Sequence, residues 1–183
     1  MKQYQMDLLL LLAVAIIGCT FGLGFAQSHG DRPEDFSINY QRTAGSVPPP
    51  YYHQITITVS PSGEGEIQFI PDYPAESVPQ WTESFNVDVQ RLDDIYGQMV
   101  AEEAFTRSWQ TPSRPNLGSP NERIQITANG QQTEIPSQIV RDQSRSKSNI
   151  TKAIQALVPE SLWQSLKGRH RLYSKERYPS GAQ

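Results

Sequence analysis

The sequence predicts an α+β domain, in which an antiparallel sheet of two hairpins plus one strand is covered on one face by two helices. Apolar and polar residues alternate in several short segments, as in strands with one buried face. Asn129-Gly130 has the composition of a tight hairpin turn. Two further segments carry apolar residues at helical spacing. The predicted order is βββαββα.

The first three strands are predicted between residues 54 and 87. The stretch 54–70, QITITVSPSGEGEIQFI, alternates on both sides of a turn rich in Ser, Pro and Gly, which indicates a hairpin. Three prolines argue against regular structure over 71–79. Residues 81–87, WTESFNV, then place large apolar side chains on one side of an extended chain, which predicts the third strand.

The rest of the domain is predicted as helix, hairpin and helix. A helix over 89–104 follows Asp88, a typical N-cap residue. The second hairpin occupies 122–136, around the Asn-Gly turn. The last helix is expected to start at Ser148 or Asn149, with a further turn opened by Pro159. Residues 169–183 are expected to be solvated and to fray.

The chain divides into four predicted segments, and composition narrows the function classes. Residues 1–26 are a signal or membrane-anchor segment, 27–50 a Pro-rich linker, 51–177 a single α+β domain and 178–183 a disordered tail. The 183 residues carry a net charge of −3, which does not favour nucleic-acid binding. One cysteine excludes an intramolecular disulfide, so packing must stabilise the domain.

The uncharged stretch from Leu8 to Ala26 predicts export, by one of three routes. Cys19, preceded by Ile16, Ile17 and Gly18, is a candidate for lipidation. Alternatively, Gly24-Phe25-Ala26 is a small-x-small site, and cleavage between Ala26 and Gln27 releases the chain. A third route keeps the segment as an uncleaved anchor, since it just spans a bilayer core of about 30 Å. All three routes place the body outside the cytoplasm: in the periplasm, in a lumen or on the extracytoplasmic face of a membrane.

No catalytic constellation stands out in the sequence, so we predict a non-enzymatic protein without cofactor. His29, His53 and His170 have no partners at metal-ligand spacing and are expected to face solvent. Nucleophile motifs and phosphate-binding glycine patterns are missing from the sequence. The paired acids of the first helix point about 100° apart, which does not suit a carboxylate dyad.

Two surfaces are candidates for binding. The loop Pro71–Glu83 is stiffened by prolines and carries Asp72, Tyr73 and Trp81, a combination suited to recognition of another protein. A basic patch that could contact anionic lipid headgroups is the second candidate. Its residues are Arg141, Arg145, Lys147, Lys167, Arg169 and Arg171. Partners are therefore expected to be an unidentified protein and, through the N-terminal segment or a lipid, a membrane.

Four stretches carry a resemblance: PDYP, VPQWTESF, LDDIYGQMV and FTRSW, all between residues 71 and 109. They resemble a group of small exported cyanobacterial proteins that has no assigned activity. In pattern alone, two hairpins each followed by a helix are similar to the emfourin-type protease inhibitors, over residues 55–166. The sequence thus predicts a protein-binding or accessory module. The alternatives are a small protease inhibitor and an assembly factor of the envelope or thylakoid lumen.

Overall fold

A computed structural model describes residues 31–179. Within this range the chain forms six strands, three α-helices and two short 3-10 turns. The strands are β1 (Ser37–Thr43), β2 (Gln54–Val59), β3 (Glu64–Ile70), β4 (Trp81–Asn86), β5 (Asn121–Ala128) and β6 (Gln131–Ile135). The helices are α1 (Val89–Ala101), α2 (Ser144–Gln155) and α3 (Glu160–Arg177), with 3-10 turns at Pro49–Tyr51 and Arg141–Gln143. The α+β class is confirmed. The observed order is ββββαββαα, which contains one strand and one helix more than the predicted order.

All six strands form one antiparallel sheet in the order β4-β3-β2-β1-β5-β6. Both predicted hairpins, β2-β3 and β5-β6, are confirmed. At the second turn, Asn129 and Gly130 have φ of 55° and 72°, the left-handed values that the Asn-Gly pair favours. Their backbone N–H groups donate to the Asp35 carboxylate at 2.8 and 2.6 Å, which ties this turn to the start of β1.

The prediction of a linker over residues 27–50 is wrong for Ser37–Thr43, which form β1 at the centre of the sheet. The strand pairs with β2 on one side and β5 on the other. Its side chains Ile38 and Tyr40 are 3% and 0% exposed, because they lie beneath the helices. The strand therefore joins the two hairpin-containing halves of the sheet.

The sheet has one covered and one open face. Alternate strand residues, among them Ile57, Ile67 and Ile126, are fully buried in a single core with the inward sides of the helices. In the part of the chain described, no helix lies over the other face, called here the open face. Its side chains are almost all polar: Ser37, Asn39, Gln41, Thr43, Gln54, Thr56, Thr58, Glu64, Glu66, Gln68, Ile70, Thr82, Ser84, Asn86, Asn121, Arg123, Gln125, Thr127, Gln132 and Glu134.

The start of α1 agrees with the prediction, whereas the bounds of α2 and α3 differ from it. The N-cap of α1 is Asp88, as predicted, whose carboxylate accepts from the backbone N–H of Arg91 at 2.7 Å. Helix α2 begins at Ser144, four or five residues before the predicted start at Ser148 or Asn149. The largest difference is α3: a further turn opened by Pro159 was predicted, and the chain instead forms a helix from Glu160 to Arg177. The expectation that residues 169–183 fray is thus wrong up to Arg177.

Candidate functional site: a proline-rich loop held by an aromatic clasp

The binding loop was predicted over Pro71–Glu83; residues 71–80 form a loop between β3 and β4, whereas the last three residues belong to β4, so the prediction is wrong for them. The loop lies at the end of the sheet where β1 finishes and β2 begins. Its first polar residue, Asp72, is only 4% exposed. The backbone N–H of Tyr73 donates to Asp72 Oδ1 at 2.7 Å, and the hydroxyl of Tyr178 donates to Oδ2. Tyr173 Oη lies 3.5 Å from the same oxygen. Asp72 therefore ties the loop to the C-terminal part of α3 instead of facing a partner.

These bonds also affect the two phenols. The hydrogen bond to the Asp72 carboxylate raises the pKa of Tyr178. Burial and then the Asp72 charge raise the pKa of Tyr173. Both phenols therefore stay protonated at neutral pH and remain donors. Tyr178 falls in the segment predicted as a disordered tail, and its contact with Asp72 corrects that prediction for this residue; residues 180–183 lie outside the described range.

Tyr73 connects the loop to the segment before β2. Its ring stacks on Tyr52 with centroids 3.7 Å apart, and its hydroxyl donates to the Val47 carbonyl at 2.7 Å. The side chain is nevertheless 40% exposed. Of the three predicted loop residues, Tyr73 is the one that combines a fixed position with a large exposed apolar area.

Trp81 lies at the end of the loop and is half-buried. Its ring stacks on Phe69 at 5.6 Å and meets the edge of Tyr173 at 6.3 Å. The guanidinium of Arg169 lies 4.6 Å from the ring centroid and forms an ion pair with Glu83 at 2.7 Å. Trp81 thereby packs α3 against β3 and β4.

The side chains that hold α3 against the loop and the neighbouring strands are called the aromatic clasp. Its members are His53, Phe69, Asp72, Trp81, Arg169, His170, Tyr173 and Tyr178. Both histidines are half-buried, so the expectation that they face solvent is wrong. The His170 ring lies 5.4 Å from Phe69 and 5.6 Å from His53, and His53 stacks on Phe69 at 5.5 Å. Sequence spacing could not reveal this, because His53 directly precedes β2 and His170 lies on α3, far apart in the chain.

The clasp makes stability depend on pH. Burial is the main cause that lowers the pKa of both His53 and His170. The charged or titratable groups that face His53 are His170 and Arg42. The charged group that faces His170 is Asp72. The unfolded chain therefore binds protons below its ordinary histidine pKa of about 6.5, while the folded chain resists them. The contribution of the two histidines to the free energy of unfolding is fully present above pH 6.5. It is lost as the pH falls towards the lower pKa values of the folded state.

We accordingly expect the free energy of unfolding, measured by urea titration, to fall between pH 7 and pH 5.5. Each histidine can contribute at most about 1.4 kcal/mol per pH unit. In His170→Gln this fall should be smaller than in the wild type. Arg171→Gln, a change at an exposed neighbour on α3, serves as the control and should keep the wild-type pH dependence. An identical fall in wild type and His170→Gln would contradict the assignment.

Two of the six residues of the predicted basic patch are held by contacts within the protein. Lys147 is 6% exposed, and its Nζ donates to the carbonyls of Glu122, Pro136 and Ser137 at 2.9, 2.8 and 2.5 Å. Including Lys147 in an exposed patch was therefore wrong, because the chain uses its amine to satisfy buried carbonyls. Arg169 is engaged by Trp81 and Glu83. The exposed members that remain lie on two elements: Arg141 and Arg145 around the start of α2, and Lys167 and Arg171 on α3.

Lys147 is part of a network beneath α2. The Glu122 carboxylate accepts from Thr151 at 2.8 Å and from Tyr40 at 3.1 Å, and its Oε1 lies 3.9 Å from Lys147 Nζ. Gln155 donates to the Tyr40 hydroxyl at 2.8 Å. Burial lowers the pKa of Lys147, and burial together with the Glu122 charge raises the pKa of Tyr40. With its polar atoms paired inside the protein, this network has a structural role.

Several predictions concern the ends of the chain. Cys19 and the cleavage site at Ala26 and Gln27 lie outside the described residues.

Between residues 31 and 179, no helix has the length and apolar character needed to cross a membrane. Over the same range, no three His, Cys, Asp or Glu side chains converge as metal ligands.

Comparison with known proteins does not assign the chain to a family. No protein-family model matches the sequence, and no curated protein shows significant similarity to it. The resemblances to small cyanobacterial proteins and to emfourins stay predictions. What the site supports therefore depends on its own geometry.

Proposed function

We propose that the chain is an exported, non-enzymatic protein-binding module that contacts its partner through a proline–tyrosine surface. This surface consists of Pro48, Pro49, Tyr51, Tyr73 and Pro74. The observation that carries the proposal is the exposure of two tyrosines on fixed backbone: Tyr51 is 69% and Tyr73 is 40% exposed. Tyrosine is enriched at protein interfaces because it combines a large apolar ring with a hydroxyl group.

The surface is rigid because its two segments are joined. The 3-10 turn at Pro49–Tyr51 is closed by backbone bonds from Tyr51 N to Pro48 O (2.9 Å) and from Tyr52 N to Pro49 O (3.1 Å). The contacts of Tyr73 with Tyr52 and Val47 fix the second segment to the first. A surface that is already ordered loses little conformational entropy when a partner binds, so more of the contact energy appears as affinity.

The position of this surface also suits an exported, tethered protein. The described chain enters at the end of the sheet that carries the Asn129-Gly130 turn, where Arg32 pairs with Asp93 and Asp35 binds the turn. The proline–tyrosine surface lies at the opposite end of the strands, about 20 Å away for strands of this length. If the N-terminal segment or a lipid on Cys19 holds the protein at a membrane, the surface points away from it.

The test uses site-specific photo-crosslinking in the native membrane and soluble fractions. A photoreactive residue at position 51 should yield a discrete adduct with another protein. The same residue at Val89, which is 60% exposed on α1 at the other end of the sheet, should not. With the adduct identified and the partner purified, Tyr51→Ala should weaken binding at least tenfold, whereas Val89→Ala leaves it within twofold.

Two results would overturn the proposal. One is equal crosslinking from positions 51 and 89, which would mean that the tyrosines make only random encounters. The other is an unchanged dissociation constant for Tyr51→Ala with a folded variant. Folding is checked by the thermal transition, which this exposed position should leave close to that of the wild type.

A further inference from the structure

The open face carries two continuous rows of polar side chains that run across the strands. Paired residues place Gln125, Asn39, Thr58, Glu66 and Ser84 side by side on β5, β1, β2, β3 and β4. The neighbouring row is made of Gln132, Thr127, Ser37, Ser60, Glu64 and Asn86. Adjacent strands are about 4.8 Å apart, so each row spans roughly 20 Å.

These two rows line a cavity of about 640 Å³. Its volume falls within the range of roughly 300–1,000 Å³ typical of small-molecule sites. Asn39 is the second residue of the first row, and its Oδ1 is buried and accepts no hydrogen bond from residues 31–179. A hydrogen bond from a ligand donor would offset the desolvation cost of this acceptor.

The chemistry of the lining selects the ligand. Amides and hydroxyls dominate it and offer both donors and acceptors, while Glu64 and Glu66 add carboxylate acceptors. Among the described residues no Lys, Arg or His lines the cavity, so none of them offsets the charge of a phosphate or of another anion. Neutral hydroxyl groups match this lining, because each can donate to a carboxylate or amide oxygen and accept from an amide or hydroxyl group.

We infer that the open face binds a neutral oligosaccharide that lies across the strands. The spacing of the side chains in each row is close to the length of one sugar ring, so successive rings can meet successive strands. Within residues 31–179, the strand side chains that face outward here include no aromatic ring for a sugar to stack on, so binding depends on hydrogen bonds and is weak. This site is separate from the proline–tyrosine surface, so either proposal can fail without the other.

The experiment is an amide NMR titration of the full chain with maltohexaose, cellohexaose and chitohexaose, each up to 10 mM. At least one sugar should shift the amide signals of Asn39, Thr58 and Gln125 in a saturable way. Thr58→Val should weaken that binding at least fivefold. Thr56→Val makes the same change on the same strand and the same face, two residues outside the cavity, and should leave the affinity within twofold.

Several outcomes would contradict the inference. They are the absence of saturable shifts with all three sugars, shifts confined to residues outside the cavity, and equal effects of Thr58→Val and Thr56→Val. Displacement of the sugar by millimolar spermidine at constant ionic strength would instead assign the face to cations. Shifts that depend on protein concentration without sugar would assign it to a second copy of the chain. Gln125→Met provides a second variant if Thr58→Val alters folding.

Discussion

Replacing Lys147 by Met is expected to destabilise the protein by about 3–5 kcal/mol. The methionine keeps the length of the side chain but removes the three hydrogen bonds to the carbonyls of Glu122, Pro136 and Ser137. It also leaves the Glu122 carboxylate without its nearest positive charge. Buried acceptors without donors carry most of this cost, because water cannot replace the amine at a site where Lys147 is 6% exposed.

The measurement is urea unfolding followed by circular dichroism, with Lys152→Met as the matched control. Lys152 lies on the same helix and faces solvent, so its replacement should change stability by less than about 0.5 kcal/mol. For a chain of this size the Lys147 variant should melt roughly 10 °C lower than the wild type. Equal effects of the two substitutions would show that the buried amine does not stabilise the fold.

The second large effect is expected for Leu166→Ala, with a loss of about 2–5 kcal/mol. Leu166 is 0% exposed and is the one fully buried residue of α3 within the described chain. Its removal leaves a cavity beneath the helix, and the aromatic clasp together with the hydrogen bond from Ser174 Oγ to the Pro50 carbonyl must then hold the C-terminal half of α3. We therefore expect hydrogen exchange of the α3 amides to accelerate more than that of the strands.

Leu172→Ala is the control for this prediction. Leu172 lies on the same helix, is 61% exposed and loses the same atoms, so its substitution isolates the contribution of burial. Its effect should stay within about 0.5 kcal/mol. If both variants lost stability equally, helix propensity and not packing would explain the effect.

The elements predicted correctly are those that carry their own local signal. Asn129-Gly130 specifies a tight turn through its backbone preferences, and Asp88 caps α1 through a contact three residues away. In β1 the signal is short: Phe36, Ile38 and Tyr40 alternate with polar residues, but Pro- and Gly-containing segments flank them. Its position at the centre of the sheet depends on pairing with β5, which no local pattern shows.

Helix α3 illustrates the opposite case, in which tertiary contacts extend a weakly patterned helix. Its C-terminal half carries no buried aliphatic residue, so periodicity gives no reason to continue it past Leu166. The contacts of Arg169 with Glu83 and of Tyr178 with Asp72 hold it in place instead. A sequence pattern cannot show such contacts, because the partners lie on distant elements.

The candidate site could be predicted only in part, because some of its contacts also join elements that are distant in the chain. Prolines and aromatics marked the loop, and Tyr73 is fixed and exposed there. Asp72 and Lys147 are charged residues that composition alone places at the surface, yet both are buried and hydrogen-bonded. The role proposed for Tyr51 depends on the joining of the two proline-rich segments, which the linker-like composition around it did not indicate.

The central position of β1 also bears on the order in which the chain can fold. β2, β3 and β4 follow one another along the chain, as do β5 and β6, so each group can pair locally. The seam between β1 and β5 joins Ile38 to Ile126 and must wait until β5 has been synthesised. Until then one edge of β1 is unpaired and can pair with other chains. A chaperone that holds the growing chain would therefore protect this edge until synthesis reaches β5.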